Sequence, residues 1–392
     1  MKTLLLLSRA YLPSIGGVEN SLFHVAREAR GRGWRVVIVV SDAGCASSLR
    51  PRALADHSGI EVFRYAERPI SWLGGFNLPF SFIGNFRLLR SLNLNRGSTL
   101  VIARFHLSVL VARIAGYKDV NYLVPSVVNQ LYKHERKRNN LANGVLTSFK
   151  TGFHSLLQRT ACQLSNVFAF SENARADITK YLGIPDREIR LTKPGVDKLR
   201  FYPASDKGER HQLRYSLGLP IEQKLVLFVG RMAGSKGLDV LVETLLFMSE
   251  DVSLVLVGEG EMKQSLITQA KKYGVDQRCI WLPATTNVED YYRCCDVFAM
   301  SSRNEALGQT ILEALASGLP VAAFSRGSGV ETATEELGFN DYIAFANEYT
   351  ADCLSRAIVH QLSVDDSTRI KQSERAHTMF SWSQLLDDVI AA

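Results

Sequence analysis

The chain has 392 residues, of which 46% are hydrophobic, and its formal net charge at pH 7 is +7. This length is typical of two domains, and the hydrophobic content suffices for two cores. No apolar run reaches the roughly 18 residues that a membrane-spanning helix needs, and the run at residues 4–7 is too short for the core of a signal peptide. The six cysteines show no paired CxxC spacing, so we expect reduced thiols in the cytosol.

The charge is unevenly distributed along the chain. Residues 1–195 hold 27 Lys and Arg against 12 Asp and Glu, a balance of +15, whereas the remainder has a balance of −8. This asymmetry indicates that the first half meets something anionic. No helix-turn-helix, zinc-finger or RNA-stacking motif is present, which argues against nucleic acid. An anionic membrane surface or a phosphorylated acceptor fits the pattern better.

Short apolar runs alternate with helical patterns through both halves of the chain. In the first half, strands are predicted at 3–8, 34–41, 60–65, 100–105, 121–128, 167–171 and 188–192. In the second half, they are predicted at 224–229, 252–257, 279–282, 296–300 and 320–324. This alternation is typical of parallel sheets with right-handed crossovers. The predicted fold class is therefore α/β, with two Rossmann-like domains at 1–205 and 206–379 and a last helix at 380–392.

The first strand is followed by a glycine pair and then by a helix predicted at 18–30. Gly16 and Gly17 form a tight backbone turn that could approach a phosphate, although an ordinary turn is an equally good interpretation. The dinucleotide fingerprint GxGxxG is absent. His106 follows the strand at 100–105. A single histidine is more often structural, but a position at the end of a strand favours a functional role.

Two segments of the first half combine aromatic or basic residues. Residues 68–96 alternate aromatic residues with Gly and Pro, which favours a core helix and an interfacial segment about equally. Residues 132–140 form a basic run. Basic runs of this kind are more often solvated than engaged in binding a partner.

Residues 301–324 form a strand, loop, helix and strand unit whose loop lies at the carboxyl end of a strand, where open α/β sheets bind ligands. Glu305 lies in the loop and Glu313 about one turn into the helix. Gly308 precedes the helix, whose free N–H groups favour an anion. Glu305 could accept hydrogen bonds from a polyol and Glu313 from a ribose. The alternative is that Glu305 caps the helix and that Glu313 lies on a solvated face of it.

Arg231 and Lys236 follow the buried strand at 224–229, so both leave its carboxyl end. Arg offers a planar fork to phosphate oxygens and Lys a point charge. Together they could stabilise a diphosphate leaving group. The alternative is two surface cations on a loop, which is less probable for the pair than for either residue alone.

Several of these patterns together resemble the family 4 glycosyltransferases, which are retaining enzymes of the GT-B fold that use nucleotide sugars. Glu305-x7-Glu313, followed by Ala314 and by the sequence GLPV at 318–321, is similar to the family's donor-site signature. The Gly-Arg-x4-Lys-Gly sequence at 230–237 resembles its paired basic residues, and Lys-Pro-Gly-Val-Asp at 193–197 its crossover between domains. Gly-Gly-Val-Glu at 16–19 is similar to its first-domain loop.

The resemblance implies an acceptor-binding first domain and a nucleotide-sugar-binding second domain facing a cleft, with the last helix packed on the first domain. It implies catalytic roles for four residues: His106, Arg231, Lys236 and Glu305. It implies donor binding by Gly16, Gly17, Arg231, Lys236, Glu305, Ala306, Leu307, Gly308, Gln309, Thr310 and Glu313. His106 is expected to lie against the transferred sugar rather than to act as a general base. Ala306 departs from the family, which commonly has Gly there.

The expected function is retaining transfer of a hexosyl unit from a nucleotide diphosphate sugar, with no cofactor and no metal, because no Asp-x-Asp sequence lies at a strand end. The expected acceptor is a lipid-linked or cell-surface glycan precursor, as in polysaccharide or lipopolysaccharide biosynthesis. The expected location is the cytoplasm, either free or peripheral on the inner face of the membrane. A GT-B epimerase, transfer to a small soluble acceptor and a non-catalytic nucleotide-sugar-binding protein remain the alternatives.

Overall fold

The structure is a computed structural model that describes residues 2–12, 16–42, 54–55, 59–66, 78–128, 141–305 and 307–392. The chain forms two compact units. The first comprises Met1–Gly195 and Trp382–Ala392, and the second comprises Val196–Ser381. The change of unit after Gly195 comes ten residues before the predicted boundary at 205. The intervening segment belongs to the second unit because Phe201 is buried there against Tyr292, with ring centroids 5.7 Å apart.

Among the described residues, the first unit contains an eight-stranded sheet in the order β3-β4-β2-β1-β5-β6-β7-β8, in which only the β3–β4 pair is antiparallel. The strands are β1 Thr3–Leu7, β2 Arg35–Ser41, β3 Leu54–Ala55, β4 Glu61–Tyr65, β5 Thr99–Ala103, β6 Val120–Leu123, β7 Asn166–Ala169 and β8 Ile189–Leu191. The helices are Gly17–Gly31, Leu78–Ser91, His106–Ile114, Leu141–Gln163, Glu172–Leu182 and Trp382–Ile390.

The four leucines of β1 are completely buried because the sheet is covered on both faces. Leu5 and Leu7 pack into one hydrophobic core, and Leu4 and Leu6 pack into the other. The second core also contains four apolar residues of the last helix, Trp382, Leu385, Leu386 and Val389. The last helix therefore belongs to the first unit, although it follows the whole of the second in sequence.

Among the described residues, the second unit contains a six-stranded parallel sheet in the order β11-β10-β9-β12-β14-β16, and β13 and β15 form a separate pair. The strands are β9 Lys224–Val229, β10 Val252–Val257, β11 Cys279–Leu282, β12 Val297–Met300, β13 Asn304–Glu305, β14 Val321–Phe324, β15 Glu331–Thr332 and β16 Ile343–Ala346. The helices are Lys207–Ser216, Leu238–Glu243, Lys263–Tyr273, Glu289–Cys294, Gln309–Ala316, Ala351–Gln361 and Asp366–Met379.

Each large sheet has one point at which the strand order reverses. In the first unit the chain moves outward from β1 to β2 and β4, and then from β5 to β8 on the other side. In the second unit it moves outward from β9 to β11, and then from β12 to β16. The loops at such a switch point diverge and leave a crevice beyond the carboxyl ends of the strands. We therefore look for ligand-binding residues after β1 and β5, and after β9 and β12.

The aromatic segment predicted at 68–96 is only partly within the described residues. Its helix is observed at Leu78–Ser91, where Phe82 and Phe86 are half-buried against the core. Trp72 and Phe76 lie outside the described residues. So does the basic run at 132–140. Among the described residues, no helix is both long and apolar enough to cross a bilayer.

Candidate functional site

The loop after β9 carries two of the predicted cations. Arg231 lies two residues beyond the end of β9 and is exposed, and Lys236 lies in the 3-10 turn Gly234–Lys236. The next residue, Gly237, has φ +64, and a Cβ atom there would lie 2.1 Å from the backbone oxygen of Ser301. Only glycine permits this backbone conformation and this close approach together. The close approach brings the Lys236 turn against the loop that follows β12.

Hydrogen bonds fasten the two loops to each other. The Ser301 hydroxyl donates to the Lys236 carbonyl at 2.8 Å, and the Arg303 backbone N–H donates to the Ser235 carbonyl at 2.8 Å. The Arg303 guanidinium donates to both carboxylate oxygens of Asp239, at 2.9 and 2.6 Å. This bidentate ion pair has a fixed geometry. The backbone positions of both loops are thus set before any ligand binds.

The hydrogen bonds between the two loops bring Lys236 and Glu305, both predicted site residues, into direct contact. The Lys236 Nζ donates to Oε2 of Glu305, and both side chains are partly buried. Glu305 itself lies on the short strand β13, which pairs with β15. The predicted diphosphate-binding cation and the predicted sugar-binding carboxylate therefore form an ion pair at the β9/β12 switch point.

The helix Gln309–Ala316 begins directly after this pair. Its N-cap is Gly308, with φ +80, and no side chain caps the helix. A Cβ atom on Gly308 would lie 2.8 Å from the Met300 side chain and 3.0 Å from that of Glu305. The first turn, which includes Gln309 and Thr310, directs backbone N–H groups toward the loop, as the sequence predicts for an anion-binding end. Leu307 is buried, and Ala306 lies outside the described residues.

Glu313, the second carboxylate of the predicted pair, is nearly fully buried at 7% exposure. The Tyr292 hydroxyl donates to its Oε2 at 3.0 Å. Burial raises the pKa of Glu313 to about 7, although the Tyr292 hydrogen bond and the positive charge of Arg200 oppose the rise. The solvated helical face considered for this residue is wrong, because the helix packs in the core. Glu313 is a carboxyl group that changes charge near neutral pH.

Sequence reasoning did not find Tyr292 or Arg200. Tyr292 lies 21 residues before Glu313 and is itself buried between Phe201 and Phe298. The Arg200 guanidinium donates to Glu289 at 2.6 Å and to the Thr286 carbonyl at 2.6 Å. The spacing of the sequence predicts neither the Tyr292–Glu313 contact nor the position of Arg200. Both depend on how the segment after Val196 packs on a distant helix.

The remaining predicted residues belong to the first unit. Gly16 is the N-cap of the helix Gly17–Gly31, which has Glu19 in its first turn. His106 begins the helix after β5 and is buried, and its Nε2 lies 3.0 Å from Nδ1 of His154. Burial, together with the smaller effect of the charge of His154, lowers the pKa of His106 to about 3. His106 is therefore neutral at physiological pH, which suits a hydrogen-bonding group better than a general base.

The described residues contain no group of three or more His, Cys, Asp or Glu side chains that could hold a metal ion. The positively charged and N–H donors at the β9/β12 switch point are instead the groups that favour an anion. Beside them lie two carboxylates, one ionically paired and one buried. This arrangement can bind a ligand that combines a diphosphate with several hydroxyl groups.

Two family models together match most of the chain. The model for "Glycosyltransferase Family 4" matches residues 15–200, and the model for "Glycosyl transferases group 1" matches residues 209–377. The two matches meet near the observed change of unit. Their residue ranges include the loops after β5, β9 and β12.

Curated relatives are similar over part of their length. The chain is 36% identical over 159 residues to a D-inositol 3-phosphate glycosyltransferase of Xylanimonas cellulosilytica, covering 38% of each chain. It is 32% identical over 173 residues to a lipopolysaccharide core biosynthesis mannosyltransferase of Rhizobium meliloti, covering 40% of this chain and 46% of the relative. The chain thus spans less than half the length of these two relatives.

Solved structures match the whole chain. A sucrose-phosphate synthase from Thermosynechococcus elongatus superposes with a TM-score of 0.80 over 100% of this chain and 98% of the other, at 17% identity. Identity at this level supports the fold and not the substrate. The predicted fold class, the GT-B architecture, is confirmed by such neighbours.

Proposed function

Because this chain belongs to the family 4 glycosyltransferases, we propose that it transfers a hexosyl unit from a nucleotide diphosphate sugar to an acceptor hydroxyl, with retention at the anomeric carbon and without a metal. The observation that carries the proposal is the Lys236–Glu305 ion pair at the β9/β12 switch point. A cation for the diphosphate and a carboxylate for the sugar lie where the fold binds ligands.

In this proposal, Arg231, Lys236 and the uncapped start of the helix Gln309–Ala316 bind the diphosphate. The bond between the anomeric carbon and the phosphate oxygen breaks, and the negative charge that develops on the leaving oxygen is stabilised by these groups. The acceptor oxygen bonds to the anomeric carbon on the same face, and its proton passes to the leaving phosphate. No protein nucleophile is required.

The two carboxylates bind the uncharged parts of the donor. Glu305 accepts hydrogen bonds from sugar hydroxyls, and Glu313 accepts them from the ribose of the nucleotide. Tyr292 already donates to one oxygen of Glu313, which leaves the other oxygen for the ligand. In the first unit, we assign the loop at Gly16 and Gly17 to the diphosphate and His106 to the transferred sugar.

The proposed acceptor is a lipid-linked or cell-surface glycan precursor reached at the cytoplasmic face of the membrane. The +15 balance of residues 1–195 supports this part, because each Lys or Arg near an anionic membrane contributes about 1 kcal/mol. The lipopolysaccharide core relative is consistent with it. Liposome flotation tests the proposal, with charge reversal at Lys133, Arg136 and Arg138, which lie outside the described residues. Failure to float with anionic vesicles at low salt, with turnover on a small soluble acceptor, would contradict it.

Thermal-shift measurements against UDP, GDP and ADP sugars test the donor assignment. A ligand at 100 times its dissociation constant raises the free energy of unfolding by about 2.7 kcal/mol. Lys236→Ala should lose most of this stabilisation. Lys263→Ala is the matched control, because Lys263 pairs with exposed Glu259 in the same unit. If no nucleotide sugar stabilises the chain, or if Lys236→Ala retains the full effect, the donor assignment is wrong.

A further inference from the structure

A second charged residue lies at the switch point of the first unit. Arg104 follows β5 directly, and its backbone N–H donates to the Leu7 carbonyl at the end of β1, at 2.8 Å. Its position between β1 and β5 is the counterpart, in the first sheet, of the position between β9 and β12 in the second. The edge of the sheet where Arg104 lies is the edge at which open α/β sheets bind ligands.

The Arg104 side chain is buried without hydrogen-bond partners for two of its donors. It is 6% exposed, its guanidinium lies 4.8 Å from the ring centroid of Phe170, and neither Nε nor Nη1 has a partner among the described residues. Burial lowers the pKa of Arg104 to about 10, and Tyr122 and Glu19 oppose this only through their charge. The stacking on Phe170 offsets part of the cost of burial, but the N–H donors of Nε and Nη1 remain unsatisfied.

A structural arginine in the same chain is satisfied very differently. Arg214 is similarly buried, at 5% exposure. Its guanidinium donates to Asp296 at 2.8 Å and to three backbone carbonyls, at 2.8 to 2.9 Å. Buried charged donors are almost always paired in this way, because an unpaired buried charge is strongly destabilising. Arg104 departs from this pattern at a ligand-binding edge, which is expected of a group whose partner is a ligand.

A second unsatisfied donor lies close by in the sequence. The Ser108 hydroxyl is fully buried and has no hydrogen-bond partner among the described residues. Ser108 lies in the first turn of the helix His106–Ile114, which has no side-chain cap. The segment from residue 104 to 108 therefore presents a guanidinium, a hydroxyl and a helix N-terminus after the same strand. All three are groups that bind oxyanions.

We propose that Arg104 binds an oxyanion, a phosphate or carboxylate group, carried by the acceptor. The proposal rests on the proposed function for the existence of an acceptor, which that function assigns to the first unit. It adds the substrate class: the acceptor carries an anionic group. The other possible source of an oxyanion is the diphosphate of the donor, and the experiment distinguishes the two.

The test follows the thermal unfolding of the full chain with increasing inorganic phosphate. Wild type should gain stability with phosphate, whereas Arg104→Met should bind phosphate at least ten-fold more weakly. Without phosphate, Arg104→Met should be at least as stable as wild type, because the substitution removes a buried, unpaired charge. Arg90→Met removes an exposed positive charge from the same unit and should respond like wild type.

Each opposite result overturns the proposal. If Arg104→Met loses stability without phosphate, Arg104 is a structural cation. If it keeps the phosphate response while a saturating nucleoside diphosphate occupies the proposed donor site, phosphate binds elsewhere. The response should also persist with a saturating nucleoside diphosphate, taken from whichever sugar nucleotide stabilises the chain. If the diphosphate abolishes it, the oxyanion belongs to the donor. These results leave the donor assignment itself untouched, since that is tested separately by the stabilisation of wild type by nucleotide sugars and by its loss in Lys236→Ala.

Discussion

Replacing Glu313 with Gln should change the pH dependence of stability in a defined direction. Burial raises the pKa of this carboxyl group from its ordinary 4.5 to about 7, so the folded state favours the protonated form. Its contribution to stability is therefore fully present below pH 4.5 and is lost as the pH rises through 7. A glutamine keeps the shape of the side chain and can still accept the Tyr292 hydrogen bond, but it does not ionise.

The size of the effect follows from the difference in pKa between the folded and unfolded chain. Each unit of difference corresponds to 1.36 kcal/mol, so a shift from 4.5 to about 7 amounts to about 3 kcal/mol. The variant and wild type should have nearly equal free energies of unfolding below pH 4.5, and at pH 5 the variant should already be more stable by roughly 1 kcal/mol. At pH 8 the variant should be more stable by up to about 3 kcal/mol, because wild type must then bury a carboxylate.

Urea unfolding at pH 5, 6, 7 and 8, followed by fluorescence, measures this difference. Glu259→Gln is the control, because Glu259 is an exposed carboxylate in the same unit, paired with Lys263, and its replacement should give no such trend. A difference between Glu313→Gln and wild type that stays constant from pH 5 to pH 8 would refute the reasoning, since the carboxyl would then have an ordinary pKa. The same variant should bind nucleoside diphosphates more weakly at pH 8. Greater stability with weaker binding is expected of a charge that is kept for function.

Three further predictions concern the other site residues. Arg231→Ala and Lys236→Ala should each lower kcat by roughly 10²–10³ with little change in urea midpoint, as expected for one electrostatic contact to the leaving group; near-normal turnover in both would remove the diphosphate assignment. Tyr292→Phe removes a hydrogen bond that lowers the pKa of Glu313, so the midpoint of nucleotide affinity against pH should move upward, and an unchanged midpoint would make Tyr292 merely structural. His106→Asn should lower kcat without changing the shape of the pH–rate profile between pH 5 and 8, because the His106 ring is neutral throughout; the loss of a limb of that profile would contradict this.

The alternation of apolar runs was sufficient to predict the two parallel sheets. Strands buried on both faces read as continuous apolar sequences, and the cores around Leu4–Leu7 and around β10 follow directly from them. The pairing of Lys236 with Glu305 was also within reach of the sequence, since residues at the carboxyl ends of neighbouring strands meet at one edge. The spacing of the sequence does not show, however, that β9 and β12 are neighbouring strands in the sheet.

The environment of Glu313 could not be read from the sequence. A glutamate within a short helix is usually solvated. Helical spacing cannot identify the buried face of a helix that is buried on almost every side. The Tyr292 partner comes from a different helix, held in place by Phe201 from the segment after the change of unit. Arg104 was missed for a related reason, because an arginine at a strand end gives no sign in the sequence of whether its donors will be satisfied.

The Lys236–Glu305 ion pair bears on how the donor would bind. An unpaired Lys236 would attract a diphosphate, whereas an unpaired Glu305 beside it would repel the phosphate groups. Joined to each other, the two side chains hold a neutral, ordered site. In the proposed function, the phosphate of an entering nucleotide sugar would replace Glu305 as the partner of Lys236, and the sugar hydroxyls would replace Lys236 as the partner of Glu305. Both charges exchange partners, and neither is left unpaired in a partly buried site. A nucleoside diphosphate alone would pair with Lys236 and leave Glu305 without a partner, so the proposed site would favour the intact donor over its leaving group.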